Sequence, residues 1–145
     1  MNAQRKDSVS WYVRAFSLLL LIWGAVGLAS GIAILYAAFA DSAAAGAPLS
    51  LSAALLGLVE AAVTGLTVAV GIVGLRASQH PRYAASLRTL AVAGIVSTVL
   101  GLGLCNAVGN DLPTSLLFNG LLMVICLVIA GNLARQSYPA GSLDA

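Results

Sequence analysis

Charge is what this sequence lacks most. Only 8% of its 145 residues are Asp, Glu, Lys or Arg, whereas 60% are hydrophobic. A water-soluble domain normally carries about a quarter charged residues, because its surface must be solvated by water. So few charges exclude a fold that faces water on all sides, and the expected solvent is lipid. The net charge of +2 is also too small to favour nucleic acid as a partner.

Residues that build catalytic and metal sites are equally scarce. The single histidine, His80, cannot form a histidine-ligated metal site, and the two cysteines, Cys105 and Cys126, lie in apolar segments. The sequence contains no CxxC, HExxH, GxSxG or phosphate-binding glycine loop. No nucleophile–base pair can be assembled from the residues present. We therefore expect no metal, no cofactor and no enzymatic activity.

Long apolar runs are abundant by contrast. A run of roughly 20 apolar residues is long enough to cross a bilayer as a helix. In lipid each backbone polar group must be paired within its own segment, so such runs form α-helices. The sequence therefore predicts an all-α membrane protein, with four transmembrane helices in an up-down-up-down bundle and a single domain over residues 1–145. The predicted helices cover about residues 15–40, 49–75, 88–109 and 113–134.

The positions of the basic residues predict the orientation of the bundle. All seven Lys and Arg residues fall in the N-terminal segment 1–14, the loop 76–88 and the tail 135–145. The other two loops contain Asp41 and Asp111 but no Lys or Arg. Because basic residues accumulate on the cytoplasmic side, both termini and the 76–88 loop are predicted to be cytoplasmic. The predicted location is the cell inner membrane.

An alternative for the first helix stays open. Residues 38–40, Ala-Phe-Ala, have the A-x-A form of a signal-peptidase site behind a basic start and an apolar stretch. That stretch exceeds twenty residues, whereas the apolar region of a signal peptide has roughly 7–15. The length favours a retained helix; cleavage would leave three helices and an outer N-terminus.

The second helix carries a seam of small and polar residues around one acid. Apolar surface gives no net drive between helices in lipid, so helices associate through close packing and hydrogen bonds. Glu60 lies on the seam and is expected to face protein. Gly57, Gly71 and Gly74 of this seam, with Gly27 and Gly31 of the first helix, are the predicted packing residues. Steps of three and four residues along the seam give Ser50, Ala53, Gly57, Glu60, Thr64, Thr67, Gly71 and Gly74.

The position of Glu60 predicts its depth and its partners. It lies about eleven residues inside the outer end of the second helix, or roughly 16 Å deep, near the middle of a hydrocarbon core about 30 Å thick. No Lys or Arg lies at this depth, so we expect a neutral Glu60 that is hydrogen-bonded to hydroxyls or to a backbone carbonyl. The candidate polar site consists of Glu60, Thr64, Thr67, Ser30, Ser97 and Thr98.

A second polar group lies toward the outer ends of the third and fourth helices. Asn106 and Asn119 fall within the helices and are predicted to pair as an outer polar cluster. Asn110 or Asp111, just before Pro113, suits the N-cap of the fourth helix. An alternative is that Asn106 and Asn119 line an outward-facing polar vestibule together with Glu60.

The segment GIVGLRASQHP, Gly71–Pro81, resembles a helix boundary in a group of bacterial membrane proteins. Small uncharacterised four-helix integral membrane proteins of anaerobic actinobacteria share its GxxGxR pattern, followed by a short polar loop and a proline. The resemblance implies the same four-span layout and implies no activity. Small multidrug transporters also have four helices, but they place their essential glutamate in the first helix. Here the glutamate is in the second helix, and that departure argues against the transporter family.

Two functions from different classes therefore remain. One is a non-enzymatic structural or interaction protein, a scaffold or accessory subunit whose partners are the lipid bilayer and a second copy of the chain or another membrane protein. The other is a small proton-coupled transporter that uses the intramembrane carboxyl group of Glu60.

Overall fold

The computed structural model describes the backbone of residues 2–137 and the side chains of residues 10–80 and 82–135. Within that range four α-helices follow one another: α1 (Asn2–Ala45), α2 (Leu51–Gln79), α3 (Ala84–Ala107) and α4 (Thr114–Ser137), with a 3-10 turn (Pro81–Tyr83) before α3. Each helix is long and apolar enough to cross a membrane. The predicted all-α, four-helix membrane architecture is confirmed.

At the end of the bundle that carries the basic residues, the helices extend beyond the spans predicted for them; at the other end α2 and α4 begin, and α3 ends, slightly inside those spans. The segment 76–88, predicted as a loop, is largely helical, because α2 continues to Gln79 and α3 begins at Ala84. His80 ends α2 by donating its backbone N–H to the carbonyl of Arg76 at 2.9 Å. Polar residues end an apolar run without ending a helix; the helix stops only where Pro81 removes a backbone donor.

The connection between α3 and α4 differs from the predicted N-cap. The N–H of Asn110 bonds to the carbonyl of Cys105 and that of Gly109 to the carbonyl of Asn106. With Gly109 at a φ of 75°, these bonds form a Schellman cap at the end of α3. Asn110 also donates from Nδ2 to the carbonyl of Ser52 at 3.0 Å, which ties this turn to the start of α2. The first carbonyl bonded in α4 belongs to Pro113, so neither Asn110 nor Asp111 holds the N-cap position.

Helix α2 is the central element of the bundle. It packs most extensively on α1, then on α3, and makes a smaller contact with α4. Helices α3 and α4 pack on each other, α4 also touches α1, and within the described residues α1 and α3 are not neighbours. The larger apolar core lies in the half of the bundle where α1 and α3 begin and includes Leu20, Val70, Leu87 and Met123. A smaller apolar cluster lies toward the end where α2 and α4 begin, called the outer end below, and contains Val59, Val63, Cys105 and Leu116.

Candidate functional site

The carboxyl group of Glu60 is buried between α2 and α4. The side chain is only 4% exposed, and its Oε2 accepts a hydrogen bond of 3.0 Å from the hydroxyl of Ser115. Ser115 is the second residue of α4, so the contact ties the outer end of α4 to α2. Because Glu60 lies on the seam of small and polar residues, its side chain faces the other helices, as the pattern of α2 indicates.

Apolar residues enclose this contact. The neighbours of Glu60 on α2, Val59 and Val63, pack with Cys105 of α3 and Leu116 of α4. The arginines whose side chains the structure describes all lie toward the opposite end of the bundle, where α1 and α3 begin and α2 and α4 end. The carboxyl group accepts a hydrogen bond from a hydroxyl here, and no described cation lies beside it.

The predicted hydroxyl partners of Glu60 do not reach its carboxyl group. Ser30 is exposed on the outer face of α1 and Ser97 is half-buried. Thr98 is buried, but its hydroxyl donates to the carbonyl of Gly94 at 2.8 Å. Thr64 donates to the backbone carbonyl of Glu60 itself, at 2.6 Å. The residue missing from the prediction is Ser115.

The physical reason for that error is the unequal position of the helix ends. Counting inward from each helix end assumes that all helices begin at one level. In the structure α4 begins at the level of Glu60, which lies nine residues into α2 from its first residue, Leu51. Gly101 of α3 marks the same level, since a Cβ there would lie 2.7 Å from Val59 and 3.9 Å from Leu116. The sequence signal for the partner of Glu60 was Ser115, a hydroxyl residue two positions after Pro113.

A second polar contact joins α2 to α4 deeper in the bundle. The Thr67 hydroxyl lies 2.7 Å from Oδ1 of Asn119, and both side chains are fully buried. The same hydroxyl lies 3.0 Å from the carbonyl of Val63, so its single proton is divided between two acceptors. Among the described side chains, Nδ2 of Asn119 is the buried polar atom without a hydrogen-bond partner.

The predicted pairing of Asn106 with Asn119 is not formed. Asn106 is exposed near the end of α3, whereas Asn119 is buried against α2. The predicted vestibule of these two residues with Glu60 is therefore not assembled. A cavity of about 520 Å³ does open at the outer end, but its polar lining comes from Asp41, Ser42 and Ser50 of α1 and the loop that follows.

The five predicted packing glycines all lie where α1 meets α2. A Cβ at Gly31 would lie 2.5 Å from the backbone nitrogen of Ala61, and one at Gly57 would lie 2.7 Å from that of Leu35. Gly71 faces Leu21 and the carbonyl of Ser17. The remaining two, Gly27 and Gly74, face the side chains of Thr64 and Ser17.

The contact of α1 with α4 is aromatic. The rings of Trp23 and Phe118 meet edge to face, with their centroids 4.6 Å apart. Trp23 is thus partly buried, beside the residue that precedes Asn119. The two cysteines are free and belong to different clusters, Cys105 to the outer one and Cys126 to the inner core.

Comparison with known proteins identifies no family: no protein-family model matches the chain, and neither a curated protein nor a solved structure matches it. The pattern in Gly71–Pro81 accordingly assigns the chain to no family. What the fold and the site define is a class, the multi-pass integral membrane proteins with four helices.

Proposed function

We propose that this chain is a non-enzymatic scaffold or accessory protein of the membrane. The observation that carries the proposal is the use of Glu60: its carboxyl group is buried and bonded to Ser115 of a neighbouring helix. A carboxyl group in a transport pathway needs access to water from one side of the membrane. Here the group is 4% exposed and instead joins two helices of the bundle.

The other buried hydroxyl groups support the same function. Thr64, Thr67 and Thr98 each donate to a carbonyl of their own helix or to the neighbouring helix, and Ser17 donates to the carbonyl of Val13 at 2.7 Å. Of these bonds, the one from Thr67 to Asn119 joins two helices, and such interhelical hydrogen bonds in membranes contribute about 0.6 kcal/mol on average and up to roughly 1.7 kcal/mol. Polar groups used in this way stabilise a fixed bundle, which suits a protein that presents a surface to a partner.

We place both termini on the cytoplasmic side of the inner membrane. The four helices alternate in direction, so the beginnings of α1 and α3 and the ends of α2 and α4 share one end of the bundle. The hydrogen bond from Ser10 to the carbonyl of Ser78 supports this alignment. In the sequence all seven basic residues fall in the segments that belong to this end of the bundle, and basic residues favour the cytoplasmic side for that end. Labelling of single cysteines introduced at Ser42 and at Gln79, in sealed cells, tests the orientation.

The proposal is tested by proton flux and by stability together. Wild type and Glu60→Gln are reconstituted in liposomes that contain a pH-sensitive dye, and a potential is applied with valinomycin and a potassium gradient. We expect no proton flux above that of protein-free liposomes for either protein. Glu60→Gln should also retain the fold, because the amide oxygen still accepts the hydrogen bond of Ser115, whereas Glu60→Ala should lower the stability.

The second candidate is a small proton-coupled transporter that uses Glu60. Two observations favour it: a protonatable group inside a transmembrane bundle, and an unpaired amide nitrogen on Asn119 farther along the same α2–α4 contact. Proton flux through wild type that is lost in Glu60→Gln, with the fold intact, would overturn the scaffold and establish this alternative.

A further inference from the structure

A groove between α3 and α4 has walls and charges that no part of the proposed function uses. It encloses about 500 Å³ near the beginning of α3 and the end of α4, a volume within the roughly 300–1,000 Å³ of small-molecule sites. Its lining residues are Arg88, Val92, Leu127, Gly131, Ala134 and Arg135.

The mouth of the groove is positively charged. Arg88 and Arg135 come from different helices and are both exposed. The acidic side chains that the structure describes lie elsewhere: Asp41 lines the outer cavity, Asp111 follows the end of α3, and Glu60 contacts the start of α4. The two guanidinium groups therefore have no carboxylate near them within the described side chains.

The walls of the groove are apolar and leave space for a chain. Val92 and Leu127 line it toward the membrane interior, and Gly131 leaves its floor open, since a Cβ there would meet no atom within 4 Å. The groove thus has two cations at one end and a hydrocarbon surface at the other. That is the polarity of a phospholipid.

We propose that this groove binds one anionic phospholipid. Its phosphate lies between Arg88 and Arg135, and an acyl chain lies along Val92 and Leu127. A guanidinium group offers several N–H donors in a plane and matches the oxygens of a phosphate. Basic pockets between transmembrane helices bind anionic headgroups for the same reason. The cavity at the outer end is lined by Asp41 and has the opposite charge, so it is not expected to bind an anionic headgroup.

The test uses the full chain in detergent micelles and measures bound lipid by native mass spectrometry. The probes are dioleoylphosphatidylglycerol, which is anionic, and dioleoylphosphatidylcholine, which has the same chains and no net charge. Wild type should retain the anionic lipid preferentially. At about 1 kcal/mol per arginine near the surface, replacing one arginine by Gln should weaken binding roughly fivefold and replacing both roughly thirtyfold.

A second variant separates the groove from the charges. Gly131→Leu keeps both arginines but places a side chain in the open floor, so binding of the anionic lipid should fall. Gly103→Leu is the matched control: Gly103 is on α3, is exposed, and also has no atom within 4 Å of an added Cβ, but does not line the groove. It should bind lipid as wild type does. Circular dichroism checks that each variant retains its helices.

Two results would overturn the proposal. One is unchanged preference for the anionic lipid in the double variant Arg88→Gln, Arg135→Gln. The other is an equal loss of binding in Gly131→Leu and Gly103→Leu, which would show that the lipid binds the general apolar surface.

Discussion

Replacing Thr67 and replacing Asn119 should have very different effects on stability, although the two residues touch. Thr67→Val keeps the shape of the side chain but removes the hydroxyl 2.7 Å from the Asn119 amide. Asn119 is fully buried and its Nδ2 already has no partner, so the variant leaves the whole amide unpaired. A buried polar group without a partner costs about 1–3 kcal/mol. We expect the free energy of unfolding to fall by about 1–2 kcal/mol, near the upper values for bonds inside membranes.

Asn119→Leu should cost much less. Leucine has the same number and branching of side-chain heavy atoms as asparagine, and the change removes the unpaired Nδ2. Thr67 loses one acceptor but keeps the carbonyl of Val63 at 3.0 Å, so no buried donor is left alone. Because no buried polar group is left unsatisfied, the penalty for removing one partner of a hydrogen bond does not apply. We expect a stability within about 0.5 kcal/mol of wild type, or higher.

The double variant completes the cycle. With both residues apolar, stability should return to that of Asn119→Leu, so the coupling energy should be about 1–2 kcal/mol. Unfolding is measured by titrating dodecyl maltoside micelles with sodium dodecyl sulfate and recording far-ultraviolet circular dichroism. In a Trp11→Phe background, the fluorescence of Trp23 reports locally, because its ring lies 4.6 Å from that of Phe118, next to Asn119.

Equal stabilities of Thr67→Val and Asn119→Leu would refute this account of the buried amide. That result would mean that the amide finds another partner, such as a water molecule, when the hydroxyl is removed. A double variant less stable than either single variant would also contradict it, since it would show that the contact contributes through packing and not through hydrogen bonding.

Two further variants test the other contacts of α2. Ser115→Ala removes the hydrogen-bond donor to the carboxyl group of Glu60 and should lower the free energy of unfolding by about 0.6–1.7 kcal/mol. The control Ser30→Ala, on the exposed face of α1, should leave the free energy of unfolding unchanged. Both variants are measured in the same detergent titration. Gly57→Ala should destabilise the protein, because its Cβ would lie 2.7 Å from a backbone nitrogen of α1. The control is Gly65→Ala, because the atom nearest to a Cβ at Gly65 is 3.9 Å away. This control should melt at or above the wild-type temperature. Equal melting temperatures for these two glycine variants would show that α1 shifts at little cost.

The fold could be predicted because lipid leaves the backbone few choices. Four apolar runs in a solvent without hydrogen-bonding groups must each become a helix. Apolarity alone predicts helix boundaries poorly, because a helix ends at capping and proline residues and not where its apolar run ends. Arg76 was predicted to begin the loop 76–88, yet it lies within α2, which continues to Gln79. The end of α2 is set by His80 and Pro81.

The polar site could be predicted only in part. The seam of α2 indicated correctly that Glu60 faces protein, because that inference needs only the period of a helix. Naming its partner requires the relative height and rotation of a second helix, which no local pattern contains. Ser115 lies close to Pro113 in the sequence, where it has the character of a helix start and not of a membrane interior.

The two polar contacts supply what the apolar surfaces of α2 and α4 cannot. These helices make a smaller contact than α1 makes with α2, and apolar side chains in lipid pack almost equally well in several registers. Glu60 with Ser115, and Thr67 with Asn119, lie about 10 Å apart along α2, so together they fix both the height and the rotation of α4. A shift of α4 by one residue would turn Asn119 away from Thr67 and leave its entire amide unpaired in an apolar core. The buried amide and carboxyl groups therefore exclude wrong arrangements of α4 more than they strengthen the right one.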